Sequence, residues 1–382
     1  MPETVAATIT DCFAELSDPR IDRTRRHELS DIITIAICAV ICGADGWVAI
    51  EEFGDAKHDW LATFLALPEG IPSHDTFGRV FARLDPEAFE RCFVNWVRTV
   101  SEVTAGQVIA IDGKCLRRSH DKRLGKEAIH MVSAWATESH LVLGQRKVDT
   151  KSNEITAIPA LLELLAVSGC IVTIDAMGCQ KAIAQQIIEQ HGDYVLALKE
   201  NHPHLYEDVE SLFHWADNLA FEEIVHDTCR VANKGHGRLE VRECWTISDP
   251  KCSAMLGEAA AWSGLRTVIR VRAERYTDTE VTCETRYYLS SLAADTPDLA
   301  ATALAATRRH WGIENELHWV LDIAFREDDC RIRQGYAAEN MAVLRHIALS
   351  LLKQEKSHKI GIKNRRLLAG WNNAYLMKVL SH

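Results

Sequence analysis

Val108-Ile109-Ala110-Ile111-Asp112-Gly113-Lys114 is the stretch that decides the fold. A short apolar run followed by an acid, a glycine and a lysine reads as a buried β-strand delivering one carboxylate at its end. Cys170-Ile171-Val172-Thr173-Ile174-Asp175-Ala176-Met177-Gly178 repeats the pattern. Two apolar strands, each ending in Asp with Gly close behind, are what an α/β sheet needs to aim two carboxylates into one crevice. Taken singly, each Asp reads equally well as the start of a turn after a strand. The matched contexts, and a third acid further along, favour a site.

Between and beyond these strands the pattern is regular. Residues 129–136 and 140–148 alternate and are β-rich, with Glu138-Ser139 as the turn of an antiparallel hairpin. Residues 155–167 read as a helix, 171–175 as a strand, 179–190 as a helix and 194–198 as a strand. The order β-β-β-α-β-α-β, with one acid on the first strand and one on the fourth, is the layout of a ribonuclease H-like α/β core over residues 104–199. Residues 200–296 interrupt it with helices and then strands near 223–225, 239–246, 267–273 and 282–289, a β-rich insertion strewn with arginines. Residues 297–340 return to helix. A single helix over 299–325 carries His310, Glu314 and His318 at i, i+4 and i+8, along one face.

Residues 1–103 read as a helical domain. The apolar run from Ile32 to Cys42 is too short to span a bilayer and suits a core helix. A helix after Ser73 presents His74, Arg79 and Arg83 on its polar face, a candidate DNA contact or simply the solvated side of a bundle.

The composition is that of a soluble globular protein, with 47% apolar and 25% charged residues. The twelve cysteines include no Cys-x-x-Cys pair and the first residues have no basic n-region, so the expectation is reduced thiols in the cytoplasm. The net charge of −11 does not advertise a nucleic-acid partner, but it is uneven. Residues 341–382 hold eight Lys or Arg against Glu355 alone, a basic helical tail fit for a polyanion or for solvent.

Asp112, Asp175 and Glu314, converging from two strand ends and a helix, would make an all-oxygen set suited to two Mg²⁺ or Mn²⁺ ions rather than zinc. Such ions support in-line displacement at phosphorus. A zinc site from His310, Glu314 and His318 is the rival, but it lacks the His-Glu-x-x-His spacing. Lys114 is placed to meet a phosphate as a point charge, and Arg117 and Arg118 extend the positive path. Glu316, two residues from Glu314, would point about 200° away on an α-helix and face solvent.

Several stretches, in order, carry a family likeness: Asp18-Pro19-Arg20 with Arg23 and His27, Gly43-Ala44-Asp45, Pro72-Ser73-His74-Asp75-Thr76, Ile111-Asp112-Gly113-Lys114, and Thr173-Ile174-Asp175-Ala176-Met177-Gly178-Cys179-Gln180. Leu198-Lys199-Glu200-Asn201, Gly235-His236-Gly237-Arg238, and His310-Trp311-Gly312-Ile313-Glu314-Asn315 with Leu317-His318-Trp319 complete it. Over nearly its full length the chain resembles the DDE transposases of bacterial insertion sequences, in the H-repeat-associated branch. The resemblance implies a DDE triad of Asp112, Asp175 and Glu314, which would both catalyse and bind metal. It implies DNA contacts from Lys114, Arg117, Arg118, Lys199, Asn201, His236, Arg238, His310, Asn315 and His318. It also implies DNA strand cleavage and transfer at element ends, a homodimer on paired ends, and a cytoplasmic protein that joins the nucleoid when bound to DNA. One departure stands out: where the wider group has Tyr, Arg, Glu and Lys at fixed offsets, this chain has Thr307, His310, Glu314 and Leu321. The alternatives are a domesticated DNA-binding protein without the reaction and a nuclease without strand transfer.

Overall fold

The computed structural model describes residues 11–100, 106–120, 127–148, 153–235, 237–277 and 279–381. Nine strands form one mixed sheet in the order β3-β2-β1-β4-β5-β9-β8-β7-β6. The strands are β1 (Val108–Leu116), β2 (Ile129–Ala136), β3 (Leu141–Val148), β4 (Ile171–Ile174), β5 (Asp193–Leu198), β6 (His226–Gly235), β7 (Arg238–Ile247), β8 (Thr267–Tyr276) and β9 (Val281–Ser290). β1 is central: it runs antiparallel to β2 and parallel to β4, and β4 runs parallel to β5. Val108 packs in one buried cluster and Ile109, Ala110 and Ile111 in another, so this stretch is covered on both faces, which is why Val108 to Ile111 is an unbroken apolar run.

The arginine-rich insertion is not a separate unit. Its last strand, β9, pairs antiparallel with β5, and β8, β7 and β6 follow outward, so the insertion continues the same sheet. The expected strand at 223–225 is instead a turn, and pairing starts at His226.

The helices are α1 (Leu29–Ile41), α2 (Trp47–Ala56), α3 (His74–Arg83), α4 (Pro86–Val100), α5 (Glu154–Leu162), α6 (Lys181–Glu189), α7 (Pro203–Asn218), α8 (Leu299–His310), α9 (Trp319–Phe325), α10 (Ala337–Gln354), α11 (Ile362–Trp371) and α12 (Asn373–Leu380). α8 lies across one sheet face on small residues, Ala300, Ala303 and Ala306, with Leu304 between them. Alanines bring the helix axis close to the strands, so residues at its C-terminal end are set down on the acid-bearing edge of β1 and β4.

Residues 341–382 are not a basic tail. α10 is buried along its length from Ala337 to Leu352 and packs on α1, α3, α4 and β3. Asn340 donates to the carbonyls of Phe81 (2.8 Å) and Leu84 (3.0 Å), satisfying orphan acceptors at the end of α3. Four of the eight basic side chains are turned inward. Arg345 faces Glu327, and Lys353 lies over Trp135. Arg365 donates to the carbonyls of Leu352 and His358, and Arg366 to those of Val40 and Ala324. Lys356, Lys359, Lys363 and Lys378 remain exposed. The helical N-terminal segment and the C-terminal helices therefore share one core. No described helix is long and apolar enough to cross a membrane.

Candidate active site

The register of the central strands explains how two acids meet. Ile111 of β1 pairs with Ile174 of β4, the last residue of that strand. Asp112 and Asp175 are therefore the next residues on adjacent parallel strands, and side chains at matching positions of a parallel pair share a face. Asp175 is fixed by its own turn: its Oδ1 accepts from the backbone N–H groups of Met177 (3.0 Å) and Gly178 (3.2 Å). The loop is braced from the turn that follows β5, where Asn201 Nδ2 donates to the carbonyl of Ala176 (2.6 Å).

The third acid arrives through a change of winding in the expected helix. α8 ends at His310, the backbone stays right-handed helical through Trp311 and Gly312, and Ile313–His318 forms a π-helical segment before α9. π-Helical turns are rare and recur at functional sites. Ile313, Leu317 and His318 are buried, while Glu314 is exposed. Asp112, Asp175, Glu314 and His310 all line one cavity of about 370 Å³, with Lys199 on its wall. Glu316 points elsewhere, to His140 (2.6 Å) and Lys353 (3.3 Å). It is half-buried and ion-paired rather than solvated.

A fourth carboxylate belongs to this neighbourhood. Glu154 opens α5, whose cap is the side chain of Asn153 accepting from Ile155 N–H (3.2 Å). A Cβ placed on Gly113 would stand 2.0 Å from Glu154 Oε1, so the glycine beside Asp112 leaves the room that this carboxylate fills. No periodicity or motif in the sequence marks Glu154. Only the missing side chain at Gly113 hints at a close approach.

Burial pushes the Asp112 carboxyl up to about 7; the Gly113 N–H works the other way, while the charges of Asp175, Glu154 and Glu314 add to the rise. Burial also raises Glu154, with Asp175 adding to it. The two imidazoles are held neutral. Burial takes His318 down to about 3, with Lys114 adding to the effect. Burial lowers His310 as well, and its Nδ1 lies 3.1 Å from Thr173 Oγ1. His318 Nδ1 sits 3.6 Å from Asp112 Oδ2. The donor set is hard oxygen without thiolate, which fits Mg²⁺ or Mn²⁺. Among the described residues no three His, Cys, Asp or Glu side chains are already gathered closely enough to hold a metal ion.

Several residues expected on the DNA are engaged within the protein. Lys114 is largely buried, its side chain 12% exposed, and is bonded to Asp322 (2.5 Å) and Glu327 (2.9 Å). Burial opposes its charge, but Glu327 and Asp322 outweigh it and hold its pKa above the usual lysine value. In this conformation it is not a free point charge for a phosphate; it ties β1 to α9 and to the segment that follows it. Arg117 and Arg118 are paired with Asp328 (3.2 Å) and Asp329 (3.1 Å) on the surface. Asn315 Nδ2 donates to the Trp311 carbonyl (2.9 Å), and His74 is paired with Glu51. Lys199 is exposed at the cavity and Arg238 lies in the adjoining groove. His236 lies outside the described residues.

Fold and site together define an α/β protein with an open, sheet-borne carboxylate site. The chain belongs to the DDE transposase family: residues 104–351 match the family described as Transposase DDE domain, and residues 10–97 match the one described as DDE_Tnp_1-associated. It is 42% identical over 362 residues to the "H repeat-associated putative transposase YhhI" of Escherichia coli K12, covering 93% of each chain. It is 40% identical over 377 residues to the "Putative transposase YncI" of Escherichia coli O157:H7, covering 98% of this chain and 94% of that one. Among solved structures, a piggyBac transposase synaptic complex with hairpin DNA is similar over 96% of this chain and 75% of that one. Its TM-score is 0.39 and its identity 12%, a likeness too slight to carry weight.

Proposed function

We propose that the protein cleaves and transfers DNA strands at the ends of an insertion element, with Asp112, Asp175 and Glu314 as catalytic carboxylates on a ribonuclease H-like core. The observation that carries this is the convergence of the three acids on one cavity, with Asp112 raised by burial and by its acidic neighbours. Acids crowded in this way favour a cation among them. The central strands support the core assignment: an antiparallel β3-β2-β1 meander is continued by parallel β4 and β5.

Asp112, Asp175 and Glu314 would hold two Mg²⁺ or Mn²⁺ ions, with Glu154 adding negative charge beside them. Divalent ions there supply activation of the attacking oxygen and stabilisation of the leaving oxygen at phosphorus. The rest falls to the chain itself. Lys199, exposed on the cavity wall, meets the phosphate charge. His310, neutral and held by Thr173, closes the floor beside Asp175 without adding a competing cation. Thr307 and Leu321 stand where the wider group has Tyr and Lys, so a mechanism that relies on those side chains does not transfer to this chain. The DNA substrate, a homodimer on paired ends and nucleoid association belong to the same reading.

The test follows cleavage of a duplex bearing the repeats that flank the gene, after chelation and with each ion restored. Activity returns with Mg²⁺ or Mn²⁺ and not with Ca²⁺. Full activity in a strong chelator would refute the metal-carboxylate reading.

A further inference from the structure

β6 is the outermost strand at one edge of the sheet, and α8 packs on it and on β7. Along β6, Asp227, Cys229 and Val231 are half-buried while Thr228, Arg230 and Ala232 are exposed, the alternation of a strand with one covered face. The cover is α8. Asp227 Oδ2 accepts from the Ala300 N–H in the first turn of that helix (2.9 Å), and Cys229 and Val231 pack against the cluster that holds Leu299, Ala303 and Leu304.

The register sets a second thiol opposite Cys229: its partner across the ladder is Cys244 of β7. Directly opposed residues of an antiparallel pair have Cα atoms about 4.5–5.5 Å apart. A disulfide spans about 4.4–6.8 Å between Cα atoms, so the backbone spacing already suits a bond between the two sulfurs. Among the described strands no other two cysteines oppose each other; Cys115 faces His130 and Cys283 faces Glu274. The two thiols also differ in access and acidity. Cys244 is buried, whereas Cys229 is partly open at the edge of the sheet. Hydrogen bonding with Cys244 lowers the Cys229 thiol from its usual value, against the effect of burial. The same contact, together with burial, raises Cys244. Thiolate is the attacking form, so Cys229 is the reachable nucleophile and Cys244 the shielded thiol behind it.

We propose that Cys229 and Cys244 form a reversible dithiol–disulfide site, oxidised by a low-molecular-weight disulfide such as glutathione disulfide. The Cys229 thiolate attacks one sulfur of that molecule, its S–S bond breaks, and one glutathione leaves as thiolate. Cys244 gives its proton to solvent, attacks the Cys229 sulfur and expels the second glutathione. The protein gives up two electrons and two protons, and the small disulfide ends as two thiols. The new bond fastens the edge strand β6 to β7 beneath α8, the helix whose far end leads to Glu314. This site is independent of the strand chemistry proposed at the carboxylates.

The test exposes folded, full-length protein to reduced and oxidised glutathione in stepped ratios, blocks the remaining thiols with an alkylating agent and maps the cysteines by peptide mass spectrometry. In wild type the peptides holding Cys229 and Cys244 become joined with the loss of two hydrogen atoms, and dithiothreitol separates them. Cys283, exposed and facing no thiol, stops at the glutathione adduct. Cys244→Ala makes Cys229 stop there too, and Cys229→Ser leaves Cys244 as a thiol. Hydrogen exchange of the β6 amides is slower in the oxidised than in the reduced wild type, and Cys229→Ser abolishes the difference. The deciding comparison is made within wild type, so it holds even where a variant melts lower. Two free thiols, or glutathione retained on Cys229, at a ratio that fully modifies Cys283 in wild type would overturn the proposal. A bond from either cysteine to a different partner would do the same, and equal exchange in the two forms would overturn the fastening of β6.

Discussion

Replacing Lys114 with Met separates a structural lysine from a phosphate-binding one. Its ammonium is the near partner of Glu327, whose side chain is only 2% exposed and whose other cation, Arg345, stands 3.6 Å away. Burial alone would raise the Glu327 carboxyl, yet Lys114 first and Arg345 second hold it below its ordinary value. Methionine keeps the packing of the stem but leaves Glu327 with one distant partner and Asp322 with none of its bonded charge. Removing one member of a buried pair costs about 3–5 kcal/mol, because the other charge stays buried without compensation. With an unfolding entropy of about 2.1 cal/mol/K per residue, a chain of 382 residues loses roughly 4–6 °C in melting temperature. Calorimetry of Lys114→Met, Glu327→Gln and the double variant makes the cycle complete. The double variant is expected to recover at least half of the single-variant loss, since the stranded charge is gone. A Lys114→Met protein that melts within 1 °C of wild type, with a DNA salt slope reduced by about 0.9, would refute the structural role and restore the phosphate contact expected from the sequence.

Gly113→Ala should push the Glu154 carboxylate out of its place beside Asp112, because the three atoms nearest the new methyl group all belong to that flexible end. Stability should change by no more than about 1 kcal/mol, while the Mn²⁺ concentration needed for half-maximal cleavage rises; an unchanged requirement would remove Glu154 from the site. Glu90 is raised to about 7 by burial, against the opposing charge of Arg146, so between its ordinary 4.5 and 7 the folded chain binds the extra proton. Stability contributed by this group therefore falls as pH rises through that window, and Glu90→Gln should flatten the slope of melting temperature against pH relative to wild type. Deleting residues 351–382 should abolish cooperative unfolding, because Leu351, Leu352, Leu376 and Val379 belong to the shared core. A well-folded truncation would show that the C-terminal helices are dispensable.

The central strands β1 to β5, and the acids that close the apolar runs of β1 and β4, stood out because each rests on a local pattern. A strand covered on both faces is apolar along the covered stretch, and the residue that closes that stretch stands out when it is Asp. What was not legible depends on partners far along the chain. Lys114 reads as a free cation because nothing near it announces Asp322 and Glu327, more than 200 positions away. Arg345, Lys353, Arg365 and Arg366 look like a basic tail by composition. Their partners are a buried acid, a tryptophan face and backbone carbonyls, none of which leaves a periodic trace. The insertion looks separate because the antiparallel pairing of β9 with β5 joins residues about ninety positions apart. The helix over 299–325 looks continuous because a π-helical turn keeps an apolar spacing close to that of an α-helix, while shifting which side chain faces the sheet.

That shift bears on the third acid. Glu314 and Glu316 have the same chemistry and lie on the same six-residue segment, but one lines the cavity with Asp112 and Asp175 while the other is held by His140 and Lys353. The most direct measurement is Mg²⁺-dependent cleavage of an end-bearing duplex by Glu314→Gln and Glu316→Gln, each checked for end binding. Glu314→Gln should lose cleavage by at least 10²-fold, the scale of one transition-state contact, and still bind the ends, while Glu316→Gln cleaves at close to the wild-type rate. Cleavage that survives Glu314→Gln and disappears in Glu316→Gln would contradict the assignment of the triad.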